Sequence, residues 1–383
     1  MDTMELKHLF SPCKIGNVLI KNRIIRSATW VAKATKDGYV TEDLIKIFKD
    51  LAEGGTGLII SGYLAIDPSG AATRRMACLF DDSYISGQKK LVNTVHESLD
   101  VKIAAQIAHT GNGAFIFGNK NFKPVGPSPM INLVLNKPCR ELKTEEVRQI
   151  IKNFVGTGLR AYESGYDMVQ IHSAHGYLLS DFISPFTNKR TDEFGGDFQG
   201  RTKILVDIYN QLRDELDKNF PILIKLNTMD YLQEGLRLDE AKNIAKILID
   251  VGYDAIEPSS GRYNLKFSSR KTYPSVMDKS EKNENYFLQN VKMLKPIMRG
   301  RPIILQGGIR NPLMMEEFIK ENIADFIAMS RPLIYEPGLP KRWKNGDLFP
   351  PLCTNCNVCL AVAATDTVYC VVKKKSEEKH DRK

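Results

Sequence analysis

The feature that most constrains this chain is a strand-then-helix unit that recurs eight times. Short apolar runs lie at Arg23–Ala28, Leu58–Ser61, Val101–Gln106, Met168–Ile171, Pro221–Leu226, Asp254–Glu257, Pro302–Gln306 and Ala324–Met329. Most are followed by a stretch with helical spacing, as in Leu44, Ile45, Phe48, Leu51 and Ala52, or Val147, Ile150, Ile151, Phe154, Val155, Leu159 and Tyr162. Strands apolar on both faces and separated by helices require a parallel sheet covered on both sides. Eight of them predict an α/β fold, a (β/α)8 TIM barrel. A doubly wound open sheet is the alternative, but no G-x-G-x-x-G follows an early strand, and the pair Gly307-Gly308 comes only after the seventh.

The turn SPCKIGN with Val18–Ile20 predicts an N-terminal hairpin cap on the barrel. The Gly-, Pro- and Asn-rich stretch Gly111–Cys139 reads as an irregular rim or lid. Ser259–Ser280 reads as loop. The expected domains are a barrel over 1–345, a cysteine-rich C-terminal extension over 346–372 and a disordered basic tail over 373–383.

The formal charge of +9 is diffuse, and no basic patch interleaved with aromatics points to nucleic acid. No apolar run reaches the ~18 residues of a membrane span, and MDTMELKHLF lacks the apolar core of a secretory signal. A cytoplasmic protein acting on small molecules, as monomer or homo-oligomer, is therefore expected. Four of the seven cysteines crowd the end, at Cys353, Cys356, Cys359 and Cys370. Without a signal peptide, such crowding points to thiols or metal rather than a disulfide framework.

In a barrel, the carboxyl ends of the strands face one cavity. That places Thr29, Gly62, Gln106, His172, Lys225 and Gly308 around it. Two imidazoles can hold a carbonyl oxygen or an anion; Gln106 offers donor and acceptor together; Lys225 brings positive charge. Gly307 and Gly308 free backbone N–H groups for phosphate, with Arg331 beside them. The set suits a flat heteroaromatic ring carrying a phosphorylated tail. His172 and His175 have no third ligand at defined spacing, which argues against zinc there. The charged loop Asn188–Gly196 reads as scaffold.

The segments KNRIIRSAT, GLIISG, QIAHTG, HSAHGYLLSDFISPFTNKRTDEFGG, LQGGI and MSRPLIYEP, in this order, resemble the old yellow enzyme (NADH:flavin oxidoreductase) family of FMN-dependent ene-reductases. The terminal cysteines are similar to those of the bacterial subgroup near 2,4-dienoyl-CoA reductase and trimethylamine dehydrogenase. The resemblance implies FMN held by Ser27, Ala28, Thr29, Gly62, Gln106 and Lys225 along its ring, and by Gly307, Gly308, Ser330 and Arg331 at its phosphate. It implies His172 and His175 as clamps on the carbonyl oxygen of an α,β-unsaturated substrate and Tyr177 as proton donor, with NAD(P)H as reductant. Trp30 stands where many members carry Thr or Cys, and Lys225 where they carry Arg. Cys353, Cys356, Cys359 and Cys370 are similar to the subgroup's iron–sulfur motif with shorter gaps; [4Fe-4S], zinc and free thiols all stay open. Other readings are oxidative demethylation, flavin electron transfer, and a non-flavin phosphate-binding barrel lyase.

Overall fold

The computed structural model describes residues 5–71, 75–98, 100–112, 124–132, 136–262, 284–362 and 367–380. Eight parallel strands run in chain order: β1 (Ile24–Arg26), β2 (Leu58–Ile60), β3 (Lys102–Ala108), β4 (Met168–Ser173), β5 (Ile222–Asn227), β6 (Ala255–Ser259), β7 (Ile304–Gln306) and β8 (Phe326–Met329). Each pairs with its sequence neighbour, β8 returns to β1, and an Ile256–Ile303 bridge joins β6 to the start of β7. The result is the expected TIM barrel, nearly closed.

Strand side chains alternate between two faces, and the sequence exploits this. Val169 and Ile171 of β4, with Ile222, Ile224 and Leu226 of β5, point outward and pack under the helices. Met168, Leu223, Ala104, Ala255, Ile304 and Phe326 point inward as the lower filling of the barrel. Ile15 and Ile20 join that layer from the antiparallel hairpin Cys13–Ile15/Val18–Ile20, which plugs the barrel's amino-terminal end as expected. Both are fully buried, and truncating such an isoleucine to alanine typically costs about 2–5 kcal/mol.

The helices start where their sequences supply caps. Thr41 Oγ1 accepts from the Leu44 N–H at 3.2 Å to open Glu42–Glu53. Glu146 accepts from the Lys143 N–H at 2.7 Å to open Thr144–Glu163. Asp197 caps Phe198–Glu215, so that helix begins before Arg201, the position its apolar spacing suggests.

Three other expectations need correction. Part of the supposedly irregular insertion forms a small sheet of Val125–Gly126, Met130–Asn132 and Lys137–Glu141; the rest, 113–123 and 133–135, lies outside the described residues, as does most of the Ser259–Ser280 loop. A six-residue helix, Leu178–Ile183, follows Tyr177 directly, where sequence suggests open loop. The tail expected to be disordered is helical over Val371–His380; Lys373/Glu377 and Lys374/Glu378 there have the i,i+4 spacing that supports helix. No helix among the described residues is long and apolar enough to cross a membrane.

Candidate active site

Above its apolar lower layer, the barrel interior becomes polar. Register places Gln106 opposite Gln170 and Lys225 opposite Glu257. Gln106 Nε2 donates to Gln170 Oε1 at 2.7 Å, and Gln170 Nε2 donates to Glu257 Oε2 at 2.9 Å. Lys225 Nζ donates to Glu257 Oε1 at 2.6 Å and to Ser27 Oγ at 2.9 Å, while Ser27 Oγ donates to the same carboxylate oxygen at 2.6 Å. This chain of five buried side chains crosses the barrel from β3 to β1. Buried polar groups are tolerable only when so connected.

The network corrects one expectation. Lys225 is not a free positive charge at the cavity but half of a buried pair, its charge balanced by Glu257. Gln170 and Glu257 were missed by sequence reading. For Gln170 the signal was present, since it stands two before the singled-out His172; for Glu257 it came only with the register, two after the inward-facing Ala255.

A cavity opens over this floor at the carboxyl ends of the strands. Its walls include Ala28, Thr29, Gln106, His172, His175, Tyr177, Lys225, Gly307, Gly308, Ser330 and Arg331, so eleven expected site residues converge. Ser27 and Gly62 do not line it. Ser27 lies beneath, bonded to Lys225 and Glu257; Gly62 lies behind Thr29, where an added Cβ would come within 3.0 Å of the Thr29 carbonyl oxygen. Trp30 is in the wall, and Tyr63 and Tyr286 are wall aromatics that sequence reading did not single out.

The strand end of β4 delivers the chemistry. The His172 ring lies 5.1 Å from His175 and 5.0 Å from Tyr177, and Tyr63 meets Tyr177 edge-on at 5.6 Å. His175 adopts a left-handed backbone (φ 68°), which turns its side chain back toward the cavity. Its Nε2 lies 2.7 Å from Ser259 Oγ. Burial, and next the Lys225 charge, pushes the His172 pKa down to about 3. Burial, His172 and Lys225 hold His175 well below the ordinary value. Both rings are therefore neutral at working pH. Asn188 fixes the following loop, donating to the Phe182 and Phe194 carbonyls at 2.7 and 2.8 Å.

On the far wall, Gly307 has φ 108°, and an added Cβ would come within 2.8 Å of the Tyr286 and Phe287 rings. Arg331 Nη1 donates to Asn357 Oδ1 at 2.7 Å and to the Asn355 carbonyl at 3.2 Å. Both asparagines are left-handed and sit between the clustered cysteines, so the cysteine segment orients this arginine. Cys359 is itself in the cavity wall. Burial raises the Cys353 and Cys359 thiols. Among the described residues no three His, Cys, Asp or Glu side chains are gathered as a metal site, so the four cysteines do not form a preassembled one.

Do these residues fit the flavin mononucleotide that the motifs imply? Both ring nitrogens of His172 are buried and have no partner among the described residues. Such a group costs about 1–3 kcal/mol unless a ligand satisfies it. The donor set also matches: Gln106 and Thr29 at one side, a glycine pair with an arginine at the other. The residues fit.

Fold and site together define a (β/α)8 barrel whose cavity at the strand carboxyl ends has the donor set for a phosphorylated planar ligand. The family model for the NADH:flavin oxidoreductase / NADH oxidase family matches residues 8–347, and the chain belongs to that family. It is 33% identical over 92% of its length to an NADH oxidase of Thermoanaerobacter brockii, covering 53% of that protein. It is 28% identical to a 4,4'-dithiodibutanoate disulfide reductase of Rhodococcus erythropolis, covering 97% of both. Among solved structures it is similar to a 2-naphthoyl-CoA reductase in complex with 2-naphthoyl-CoA, with TM-score 0.87 and 27% identity over 96% of this chain and 57% of that one. The chain thus spans about half the length of some relatives and nearly all of another.

Proposed function

We propose that this chain is an FMN-containing reductase of activated C=C bonds in enones, enoates or enoyl thioesters, driven by NAD(P)H in the cytoplasm. The observation that carries the reading is His172, a buried neutral imidazole whose two nitrogens have no partner among the described residues, set edge-on to Tyr177 at the mouth of a barrel cavity. The 2-naphthoyl-CoA reductase likeness supports an α,β-unsaturated thioester as one substrate class.

Ala28, Thr29 and Gln106 would hold the ring of FMN, with Ser27 and Gly62 shaping the wall behind; Gly307, Gly308, Ser330 and Arg331 would hold its phosphate. Bound there, FMN supplies two-electron hydride chemistry between NAD(P)H and the substrate's β carbon. The protein's part is electrostatic and geometric. Because His172 and His175 are neutral, they act as N–H donors to the substrate carbonyl oxygen and stabilise the negative charge that grows on it. Tyr177 delivers a proton to the α carbon. Lys225, already neutralised by Glu257, acts as a fixed donor dipole rather than as a net charge. For Cys353, Cys356, Cys359 and Cys370, [4Fe-4S], zinc and free thiols stay the three outcomes that anaerobic iron, sulfide and zinc analysis separates.

The test is product analysis over a panel of enones and enoyl thioesters with NADPH or NADH. Stoichiometric saturated product supports the reading. Nicotinamide oxidation that ignores the C=C compound, with no saturated product, defeats it.

A further inference from the structure

Behind the histidine–tyrosine segment lies a group of charges that the proposed reaction does not use. Arg262, just beyond β6, is fully buried, and its side chain meets two carboxylates that are also fully buried, Asp181 and Asp230. Arg262 pairs with Asp181 through Nη2 and reaches Asp230 Oδ1 from Nη1 at 3.3 Å. Among the described residues these two carboxylates and one guanidinium, all out of water, leave one negative charge uncompensated. An enclosed pair of carboxylates in that position keeps a proton.

The hydrogen bonds say which oxygen carries it. Asp230 Oδ1 accepts from Asn227 Nδ2 at 2.8 Å as well as from Arg262, and Asp230 Oδ2 accepts from Ser184 Oγ at 2.5 Å and the Leu236 N–H at 2.9 Å. Both Asp230 oxygens are thus engaged, by four donors in all. Asp181 Oδ1 has only Arg262, and Asp181 Oδ2 is buried with no partner among the described residues.

Among the described residues the remaining neighbours supply no second cation. The helix Phe198–Glu215 presents Arg201, whose guanidinium is engaged by the Ile183 and Gly196 carbonyls and by Glu240. The rim strand Lys137–Glu141 presents Cys139, a thiol raised by burial and by Asp181. On its own turn Asp181 faces no other charge; its backbone N–H donates to the Tyr177 carbonyl at 2.9 Å.

We propose that Asp181 carries the proton of this buried group, a neutral carboxylic acid on the acid side of its titration, and that the Asp181–Arg262–Asp230 group positions the segment carrying His175 and Tyr177. The attachment is made at both ends of that segment. Asp181 is one helical turn after Tyr177, and Arg262 forms a parallel backbone bridge with His175. Losing the proton adds a buried negative charge that draws the Arg262 guanidinium toward Asp181 and repels Asp230, so that both tethers shift. Burial, and the Asp230 charge opposing Arg262, place this titration at about 7, inside the working range and far from the two histidines. The kinetic consequence rests on the proposed roles of His175 and Tyr177; the protonation itself does not.

The test is difference infrared spectroscopy of the flavin-loaded protein between pH 5.5 and 8.5, on wild type, Asp181→Asn and Asp230→Asn, together with the pH profile of flavin reoxidation by an enone. The expected result is a protonated-carboxyl C=O band that disappears as pH rises, absent from Asp181→Asn and retained in Asp230→Asn. Reoxidation by the enone should fall through the same pH range in wild type and stay level in Asp181→Asn, which mimics the protonated group. A wild-type spectrum without the band, or a band removed by Asp230→Asn instead, overturns the proposal whatever the activity. A band that behaves as expected beside a reoxidation limb unchanged in Asp181→Asn overturns the positioning role. If Asp181→Asn does not fold, the wild-type band and its fate in Asp230→Asn still decide.

Discussion

The ring of Tyr177 stands edge-on to that of His172 with centroids 5.0 Å apart, at the point where β4 leaves the barrel. The proposed donor to oxygen and the proposed donor to carbon are thus adjacent, on one short segment. Replacing Tyr177 with Phe should slow reoxidation of the reduced flavin by an enone by about 10²- to 10⁴-fold, while reduction by NAD(P)H stays nearly intact. Stopped-flow measurement of the two half-reactions checks this; equal losses in both would remove Tyr177 as proton donor.

His172 makes acid stability predictable. Its folded pKa of about 3 lies below the ordinary 6.5, so the unfolded chain binds a proton that the folded chain does not. The neutral ring's contribution is complete above pH 6.5 and is lost as pH falls from there toward 3. At about 1.4 kcal/mol per unit, the window is worth a few kcal/mol. Denaturation midpoints of His172→Asn should therefore decline less steeply than those of wild type between these limits.

Much of this arrangement was legible in the chain. Alternation along Met168–Ser173 and Ile222–Asn227 separates inward from outward residues, and the strand count closes the barrel. Partners from distant strands were not legible. Lys225 reads as a free cation until register sets Glu257 beside it, and Arg331 reads as a lone phosphate ligand until Asn355 and Asn357 arrive from the cysteine segment. The helix Leu178–Ile183 is too short for periodicity to reveal, and the rim strands owe their form to pairing with one another rather than to local propensity.

The Lys225–Glu257 pair leads to a stability prediction. Lys225→Met leaves a buried carboxylate without its cation and should cost about 3–5 kcal/mol, whereas Lys225→Met with Glu257→Gln should recover a large part of that loss. Chemical denaturation of the flavin-loaded proteins measures it. Additive losses in the double variant would show that the two side chains do not act as a pair.

Gly307 should not tolerate a side chain. Its left-handed backbone and the 2.8 Å approach to the Tyr286 and Phe287 rings mean that Gly307→Ala displaces the cavity wall where the phosphate is proposed to sit. Weaker flavin retention on dialysis, with a stability loss of at least about 1 kcal/mol, is the expected outcome.

The most direct test of the central claim is an anaerobic titration of freshly purified protein followed in the visible spectrum. The account predicts a flavin band that NADPH or NADH bleaches and that an added enone restores, one equivalent at a time. A protein without that band even after FMN is supplied, or a bleached band that air restores and an enone does not, would contradict it.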